Sequence, residues 1–439
     1  MKVLQRCNTA ACIATLVILG VVLLCAPSAA NGQAYLYNRS KVLTGNGPAG
    51  IAVADFNHDH KLDLGVTISY DNSVSVSLKL SDGSFSNGVA YPTGQTPSAV
   101  VTSDFRGDGR IDLAVINNYN GSGNPGAVSI LLGNGNGTFQ AHVDYFVGNS
   151  PTGIVTGDVN EDGKLDIAVL NEYDSTVSIL LGNGDGTFQS QTTVSVGSGP
   201  TSIAIGDSNG DRKADLVTTN IGSGTVSILL SQSNGSFTRV DSRAPISSPD
   251  NSRVVTGDFN GDGKLDVVIS SSSRQELFML LGEGTGSLQA PIAIQNVPVD
   301  AISNLVAADF NHDGRLDLAA AGGNGTGGIV VALGKGDGTF EKPIISPADS
   351  ILVLFATDLN GDGRLDLISA YYGGSVGLLL GKGDGTFSTP KRVILAQTPV
   401  GVEKVRSTEH PPGCEITAPS FLLSLSAKRW LAQPVLWVG

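Results

Sequence analysis

Short apolar stretches that alternate with polar residues recur along most of the chain. In a representative unit these stretches are residues 153–157, 165–170 and 176–181, and a fourth extends to about Val196. Alternation at every second position and many β-branched residues predict β-strands. Residues 182–188, Gly-Asn-Gly-Asp-Gly-Thr-Phe, separate the third stretch from the fourth and are typical of a hairpin turn. Each unit is therefore predicted to be a sheet of four antiparallel strands.

A nine-residue segment between the first and second stretches occurs seven times, at intervals of 49 to 54 residues. Its copies, numbered here as loops 1 to 7 with positions 1 to 9, begin at Asp55, Asp104, Asp158, Asp207, Asp258, Asp309 and Asp358. A fixed period of this length indicates a repeat architecture. Four antiparallel strands repeated seven times predict an all-β fold, a seven-bladed β-propeller of four-stranded antiparallel blades over residues 35–402. The alternative, a linear β-solenoid, normally has a shorter repeat and lacks such hairpins.

The way in which the propeller ring closes is left open by the sequence. Residues 35–43 resemble a fourth strand that precedes the first blade. They are predicted to pair with the last blade, or with a strand near Val400 as a remnant eighth blade.

The chemistry of the repeated loop suits a hard cation. Loop 5 reads Asp-Phe-Asn-Gly-Asp-Gly-Lys-Leu-Asp, with carboxylates at positions 1, 5 and 9, Asn at position 3 and Gly at position 6. Oxygen ligands on a tight loop favour Ca²⁺. The first half resembles an EF-hand loop but lacks its Glu at position 12, so Asp266 at position 9 would have to close the cage. The flanking β-branched runs place the ion between two strands.

Four loops keep every ligand and the turn Gly, and position 7 is included as the main-chain ligand position of an EF-hand loop. Their candidate metal-site residues are Asp158, Asn160, Asp162, Lys164 and Asp166; Asp258, Asn260, Asp262, Lys264 and Asp266; Asp309, Asn311, Asp313, Arg315 and Asp317; and Asp358, Asn360, Asp362, Arg364 and Asp366. The alternative is that these Asp-Gly segments only form turns.

Three loops depart from the pattern and are expected to bind a cation weakly or not at all. Loop 1 has His60 at the turn position, loop 2 has Arg106 at position 3, and loop 4 has Arg212 at the turn position. Their remaining candidate ligands are Asp55, Asn57, Asp59 and Asp63; Asp104, Asp108 and Asp112; and Asp207, Asn209, Asp211 and Asp215.

Tyrosines mark the turns between second and third strands, at the opposite end of each blade from the Asp loops. Tyr70, Tyr119 and Tyr173 each follow the last Asp of their loop by seven residues, and Tyr371 and Tyr372 occupy the corresponding turn of the last unit. Asn, Asp and Glu residues surround them. Aromatic rings beside such groups suit a glycan or an extracellular protein as partner, through Tyr70, Tyr119, Tyr173 and Tyr372. The alternative is ordinary tyrosines at strand ends.

Composition and the two termini bear on location. A net charge of -13 argues against nucleic acid as a partner. Residues 1–30 are predicted to be a secretory signal peptide, with a basic start, an apolar stretch and small residues before a cleavage site, which predicts a secreted, periplasmic or cell-surface protein without a membrane segment after cleavage. An uncleaved membrane anchor is the alternative. Residues 403–439 share nothing with the repeats and are predicted to be a disordered extension or the product of a shifted reading frame, with a closing segment as the alternative.

The loop sequence followed by Gly-Asp-Gly-Thr-Phe resembles the FG-GAP repeat of integrin α-subunit propellers, and more closely the bacterial repeats called VCBS-type. The resemblance covers about 365 residues. It implies a seven-bladed propeller with Ca²⁺ between the first and second strands of each blade, acting as a binding or adhesion module for glycan or protein. The alternative is a carbohydrate-active enzyme similar to polysaccharide lyases that use Ca²⁺-loaded propellers, although no catalytic constellation stands out. A third hypothesis is a structural domain that once belonged to a larger protein.

Overall fold

The computed structural model describes residues 47–118, 125–248, 251–295, 297, 302–322, 328–347, 351–371, 375–388 and 391–394. These residues form 28 strands in seven four-stranded antiparallel sheets, and each sheet takes its four strands consecutively from the chain. Their single helical element is a 3-10 turn at Ser69–Asp71. The predicted signal peptide, the strand at 35–43, the strand near Val400 and the tail all lie outside the described residues.

The strands are numbered β1 to β28 in chain order, four to a blade. Blades 1 to 4 contain β1 (Pro48–Ala54), β2 (Asp63–Ile68), β3 (Ser73–Ser77), β4 (Val89–Pro92); β5 (Pro97–Ser103), β6 (Asp112–Asn117), β7 (Ala127–Leu131), β8 (Val143–Phe146); β9 (Pro151–Gly157), β10 (Asp166–Asn171), β11 (Thr176–Leu180), β12 (Thr192–Ser195); β13 (Pro200–Gly206), β14 (Asp215–Asn220), β15 (Thr225–Ser231) and β16 (Phe237–Arg243). Blades 5 to 7 contain β17 (Val254–Gly257), β18 (Asp266–Ser271), β19 (Glu276–Leu280), β20 (Ile292–Ile294); β21 (Ile302–Ala308), β22 (Asp317–Gly322), β23 (Gly328–Ala332), β24 (Ile344–Pro347); β25 (Ile351–Thr357), β26 (Asp366–Tyr371), β27 (Ser375–Leu379) and β28 (Lys391–Ile394).

The predicted fold class is confirmed. In blade 3 the strands coincide with the predicted stretches to within two residues, apart from the shorter fourth strand, and the Asp loop joins β9 to β10 as expected. The second and third strands are the most deeply buried, because neighbouring blades cover both of their faces, as in β6 and β7. The fourth strand is largely exposed, as in β4 and β8, so it forms the outer rim.

Seven apolar cores lie between successive blades and account for the ring. Each core combines side chains of two neighbours, and one of them joins the ends of the described ring. There Ile51, Val53 and Leu64 of blade 1 pack with Leu359 and Ile368 of blade 7. Each blade is made of four strands of its own, so in the described part of the chain two complete sheets pack against each other at this seam. No helix among the described residues has the length and apolar character needed to cross a membrane.

Candidate cation loops and the opposite face

The loop between the first and second strands is organised by its own polar side chains. In loop 5, Asp258 Oδ1 accepts the N–H groups of Gly261 and Asp262 at 2.7 and 3.1 Å, and its Oδ2 accepts the N–H of Gly263 at 2.8 Å. Asn260 Oδ1 also accepts the Asp262 N–H, at 2.9 Å. Positions 4 and 6 adopt positive φ, 76° and 79° here, which lets the backbone wrap around position 1.

The Asp at position 9 has a second role that the sequence analysis missed. Asp266 is the first residue of β18 and is fully buried. Its Oδ2 accepts the N–H of Phe259 at position 2, at 3.0 Å, and its Oδ1 accepts the N–H of Gly282, just beyond the third strand, at 2.9 Å. The carboxylate thus ties the loop to the end of β19. The signal in the sequence was a Gly, Ser or Lys that follows this Asp by 15 to 17 residues in six blades and by 21 in blade 2.

All seven loops repeat this pair of hydrogen bonds. The acceptors are Asp63, Asp112, Asp166, Asp215, Asp266, Asp317 and Asp366, and the N–H donors are Phe56 and Lys79, Phe105 and Gly133, Val159 and Gly182, Ser208 and Ser231, Phe259 and Gly282, Phe310 and Gly334, and Leu359 and Gly381.

The buried carboxylates at position 9 have raised pKa values. Burial is the main cause, and the carboxylates at positions 5 and 1 add repulsion; the pKa is about 6 for Asp63, Asp166 and Asp317, and about 7 for Asp366. Asp215 also has a pKa of about 6, with burial as its main cause. The carboxylates at positions 1 and 5 are therefore close enough to disfavour the charge of the Asp at position 9.

The turn geometry survives in the loops that lack Gly at position 6. His60 and Arg212 adopt φ values of 62° and 70°, and their N–H groups donate to the Asp at position 1 of their loop, each at 2.7 Å. The absence of Gly at position 6 therefore appears as backbone strain, because His60 and Arg212 adopt a left-handed conformation that residues with a Cβ rarely adopt. The loop is not opened.

The donor set can be tested against a cation. Among the described residues, no group of three acidic, His or Cys side chains converges closely enough to hold a metal as it stands. Several oxygens accept backbone N–H groups, but a carboxylate has about four acceptor positions and is not exhausted by two hydrogen bonds. Loop 2 shows that positions 5 and 9 face a common centre, because the Arg106 guanidinium lies 3.3 Å from Asp108 and 2.6 Å from Asp112. The donors are oxygen atoms, the type that a hard cation prefers, but the side chains would have to move inward to coordinate one.

The side chains at position 7 lie outside that centre. Lys164, Lys264 and Arg315 approach the carboxylate at position 5 of their own loop, at 3.7, 3.7 and 2.5 Å, and all three are exposed. Surface pairs of this kind contribute little to stability and exchange readily with solvent ions.

The opposite end of the ring carries a cavity of about 520 Å³. Its lining includes Asn118 and Glu172, which directly follow second strands, Thr152 near the start of β9, and Arg253 just before β17. Tyr173, next to Glu172 in the chain, is 75% exposed, and Tyr70 on the 3-10 turn is 80% exposed. Tyr119 and Tyr372 lie outside the described residues.

Ser129, His142 and Asp144 form a cluster whose residue types resemble those of a catalytic triad. Ser129 Oγ lies 3.3 Å from His142 Nδ1 and donates to Asp144 Oδ1 at 2.5 Å, while His142 Nδ1 lies 2.8 Å from the same oxygen. Ser129 is fully buried and cannot reach a substrate. In the next blade Ser178 donates to Gln191 in the same position, so the cluster is part of a repeated structural network.

Comparison with known proteins supports the repeat and the fold. The FG-GAP-like repeat matches residues 104–169, 158–218, 209–269, 258–320, 309–369 and 358–405. No curated protein sequence matches the chain.

Similar solved structures share the fold at low identity. They include a protein from Lactobacillus plantarum (13% identity, 79% of this chain and 96% of that one, TM-score 0.53) and BBS1N in complex with ARL6DN (13%, 82% and 96%, TM-score 0.51). A protein from Bacteroides uniformis described as a candidate 6-phosphogluconolactonase aligns likewise (13%, 78% and 96%, TM-score 0.55). Identity this low indicates the fold alone. The repeat itself is matched across most of the chain, and the chain therefore belongs to the FG-GAP-like repeat family.

Proposed function

We propose that this chain is a secreted or surface-exposed propeller whose Asp loops bind Ca²⁺ and whose opposite face binds glycan. The convergence of the position-5 and position-9 carboxylates on one positive charge in loop 2 carries the Ca²⁺ part of the proposal. The other loops repeat the same acidic positions. Loops 3, 5, 6 and 7 also keep Asn at position 3 and Gly at position 6.

Ca²⁺ would act on stability through the electrostatics of the loop. Three carboxylates held together at an effective dielectric near 20 repel one another by an amount on the order of a few kcal/mol per loop. A divalent cation reverses that interaction. Because it binds the folded loop and not the unfolded chain, its binding adds to folding stability.

Chelation provides the test, with two loops compared. We expect chelator to lower the melting temperature of the wild type at neutral pH. With Ca²⁺ present, Asp262→Ala should lower it more than Asp211→Ala. Asp262 belongs to an intact loop, whereas Asp211 is already paired with Lys213 at 3.2 Å in a loop without the turn Gly. Equal losses in the two variants, or a wild-type melt unmoved by chelator, would show that the loops are only turns.

The binding face is proposed to lie at the other end of the ring. The cavity brings Glu172 and Arg253 together with amide and hydroxyl groups, and Tyr173 stands exposed beside Glu172. A sugar ring offers hydroxyls to such polar groups and an apolar face to an aromatic ring. The cavity beside Tyr173 is the observation that favours a glycan over a protein partner.

A glycan array followed by variants tests this assignment. We expect Tyr173→Ala and Glu172→Gln to weaken binding of any captured glycan at least tenfold. Phe146→Ala is the matched control, because Phe146 is a comparably exposed aromatic (63%) on the outer rim strand β8. Binding that is unchanged in Tyr173→Ala and Glu172→Gln, or equally reduced in the control, would contradict the assignment. A lyase assay on acidic polysaccharides, run on the same material, tests the enzyme alternative.

The proposed location depends on the predicted signal peptide. Mass spectrometry of the mature protein should find the N-terminus just after Ala30 or Ala34. An intact residue 1 in the exported fraction would instead support the membrane anchor.

A further inference from the structure

Arg106 occupies the centre of loop 2 in a way that no other loop residue does. Its side chain is only 12% exposed. Nη2 donates to Asp112 Oδ1 at 2.6 Å and Nε donates to Asp112 Oδ2 at 3.3 Å, while Nη1 lies 3.3 Å from Asp108 Oδ2. Nη2 also donates to the carbonyl of Gly133 beyond the third strand, at 2.7 Å. One guanidinium thus joins positions 5 and 9 of the loop to the end of β7.

The other six loops have Asn at position 3, and there the side chain serves the loop locally. Each of these Asn residues accepts the N–H of the Asp at position 5 through Oδ1; the residues are Asn57, Asn160, Asn209, Asn260, Asn311 and Asn360. Arg cannot accept a hydrogen bond, so loop 2 lacks this contact.

Loop 2 nevertheless keeps the shared backbone shape. Asp104 accepts the N–H groups of Asp108 and Gly109 at 3.2 and 2.6 Å, and Gly107 and Gly109 have φ values of 65° and 83°. The substitution therefore changed what fills the loop and left its fold in place. What fills it is a fixed positive charge that satisfies the buried carboxylate at position 9 in a bidentate manner.

We infer that Arg106 is a built-in replacement for the Ca²⁺ ion in loop 2, so that this loop binds no ion and blade 2 keeps its loop in the absence of Ca²⁺. The inference rests on the proposed Ca²⁺ function of the intact loops. It goes beyond the absence of a ligand at position 3, because the guanidinium neutralises the same carboxylates that a cation would. A Ca²⁺ ion at that centre would be repelled by the positive charge of the Arg106 guanidinium and would clash with its atoms.

The test is a count of bound ions in a variant that carries at position 3 the Asn of the other six loops. Arg106→Asn should bind one Ca²⁺ more than the wild type in calorimetric titration or native mass spectrometry. In chelator it should melt several degrees below the wild type, and Ca²⁺ should recover most of that loss. Arg110→Asn is the matched control, because Arg110 lies in the same loop, is half exposed and stands 3.7 Å from Asp108. It should bind the same number of ions as the wild type.

The reverse change keeps the test decisive if Arg106→Asn does not fold. Asn260→Arg places the same side chain at position 3 of an intact loop and should bind one ion fewer, with a smaller loss of melting temperature in chelator. An Arg106→Asn variant that gains no ion, or that loses no more stability in chelator than Arg110→Asn, overturns the inference. The two claims fail on different results. A wild type that binds no Ca²⁺ overturns the proposed function, whereas the inference about loop 2 is tested by the difference in bound ions between Arg106→Asn and the wild type.

Discussion

At the scale of single residues, the Asp at position 9 does two things with one side chain. Its spacing from positions 1 and 5 predicts a cation ligand, and burial, with a smaller contribution from the other two carboxylates, raises the pKa of Asp366. Its two oxygens also join the loop to the end of the third strand, for example from Asp366 to Leu359 and Gly381. Spacing in a sequence shows which carboxylates can meet, but not which backbone N–H groups come from a strand 15 residues away. The hydrogen bonds that the Asp at position 9 accepts could therefore not be predicted from the sequence.

The raised pKa values predict an unusual pH dependence for the cation-free protein. The pKa is about 7 for Asp366 and about 6 for Asp166, mainly because of burial, against 3.8 for an unperturbed Asp. The folded chain therefore takes up protons that the unfolded chain does not take up until near pH 4. The free energy of unfolding should consequently rise as the pH falls from about 7 to about 4. A pKa difference of one corresponds to about 1.4 kcal/mol.

Denaturant titrations in chelator between pH 7.5 and 4.5 measure this trend. Below about pH 4 the trend should reverse, because carboxylates with lowered pKa values lose their hydrogen-bonded charge; Asp185, which accepts from Thr187, is one of them. With Ca²⁺ present the dependence between pH 7 and 4 should flatten or invert, since protons then compete with the cation. A cation-free protein whose stability falls steadily from pH 7 to 5 would contradict the raised pKa values.

At the scale of the element, sequence patterns were sufficient for the strands and the loop positions. The short β-branched and apolar stretches gave the strands of blade 3 to within two residues, apart from the rim strand, because a strand that is buried on both faces is a short apolar run bounded by turn residues. The rim strand, Thr192–Ser195, was overestimated because it is exposed and its polar residues carry little signal. The left-handed position 4 of the loop was also missed, since residues as different as His58, Glu161 and Gly261 occupy it.

Placing Gly at position 6 of the two loops that lack it should stabilise the fold. His60 and Arg212 hold φ values of 62° and 70°, which cost a residue with a Cβ about 1–2 kcal/mol relative to a relaxed backbone. We expect His60→Gly and Arg212→Gly each to raise the free energy of unfolding by roughly 0.5–1 kcal/mol, after part of the gain is lost to the greater freedom of Gly in the unfolded chain.

Gly163→Ala provides the opposite control for these substitutions. Gly163 has a φ of 79° at position 6 of intact loop 3, and a Cβ there would meet no atom within 4 Å, so any loss reports backbone strain alone. Chemical denaturation of the three variants in chelator keeps cation binding out of the comparison. Destabilisation in both Gly variants would show that the left-handed turn is not strained.

At the scale of the whole molecule, closure of the ring was the least predictable feature. A strand borrowed from residues 35–43 was one expectation, and those residues lie outside the described part of the chain. Blade 7 takes its fourth strand from Lys391–Ile394, so the sheet reaches four strands without one. Among the described residues the seam is formed by contacts between blades 1 and 7, such as those of Ile51 with the apolar core that includes Ile368, and no local pattern records contacts between residues so far apart in sequence.

Lys79 is the polar contact that distinguishes this seam. It lies in blade 1 at the place where most blades have Gly, it is 8% exposed, and its ammonium donates to the carbonyl of Leu359 in loop 7. At three other seams the corresponding carbonyl accepts a hairpin N–H from the next blade, as Phe56 does from Gly137 at 2.8 Å. Burial lowers the pKa of Lys79, while the charges of Asp366 and Asp358 oppose that shift and favour the ammonium.

Replacing Lys79 should therefore loosen the ring at one place. In Lys79→Met the apolar stem is retained, but the Leu359 carbonyl loses its donor and the carboxylates of loop 7 lose the buried charge that faces them. An unsatisfied buried carbonyl costs about 1–3 kcal/mol. We expect a lower melting temperature in chelator and faster amide hydrogen exchange in β1 and β26, the strands on either side of the seam, with exchange in blades 3 to 5 unchanged. Lys61→Met is the control, since Lys61 is in the same blade but pairs only with exposed Asp59, at 2.8 Å. Exchange that rises evenly around the ring, or equally in both variants, would mean that apolar packing alone closes the seam.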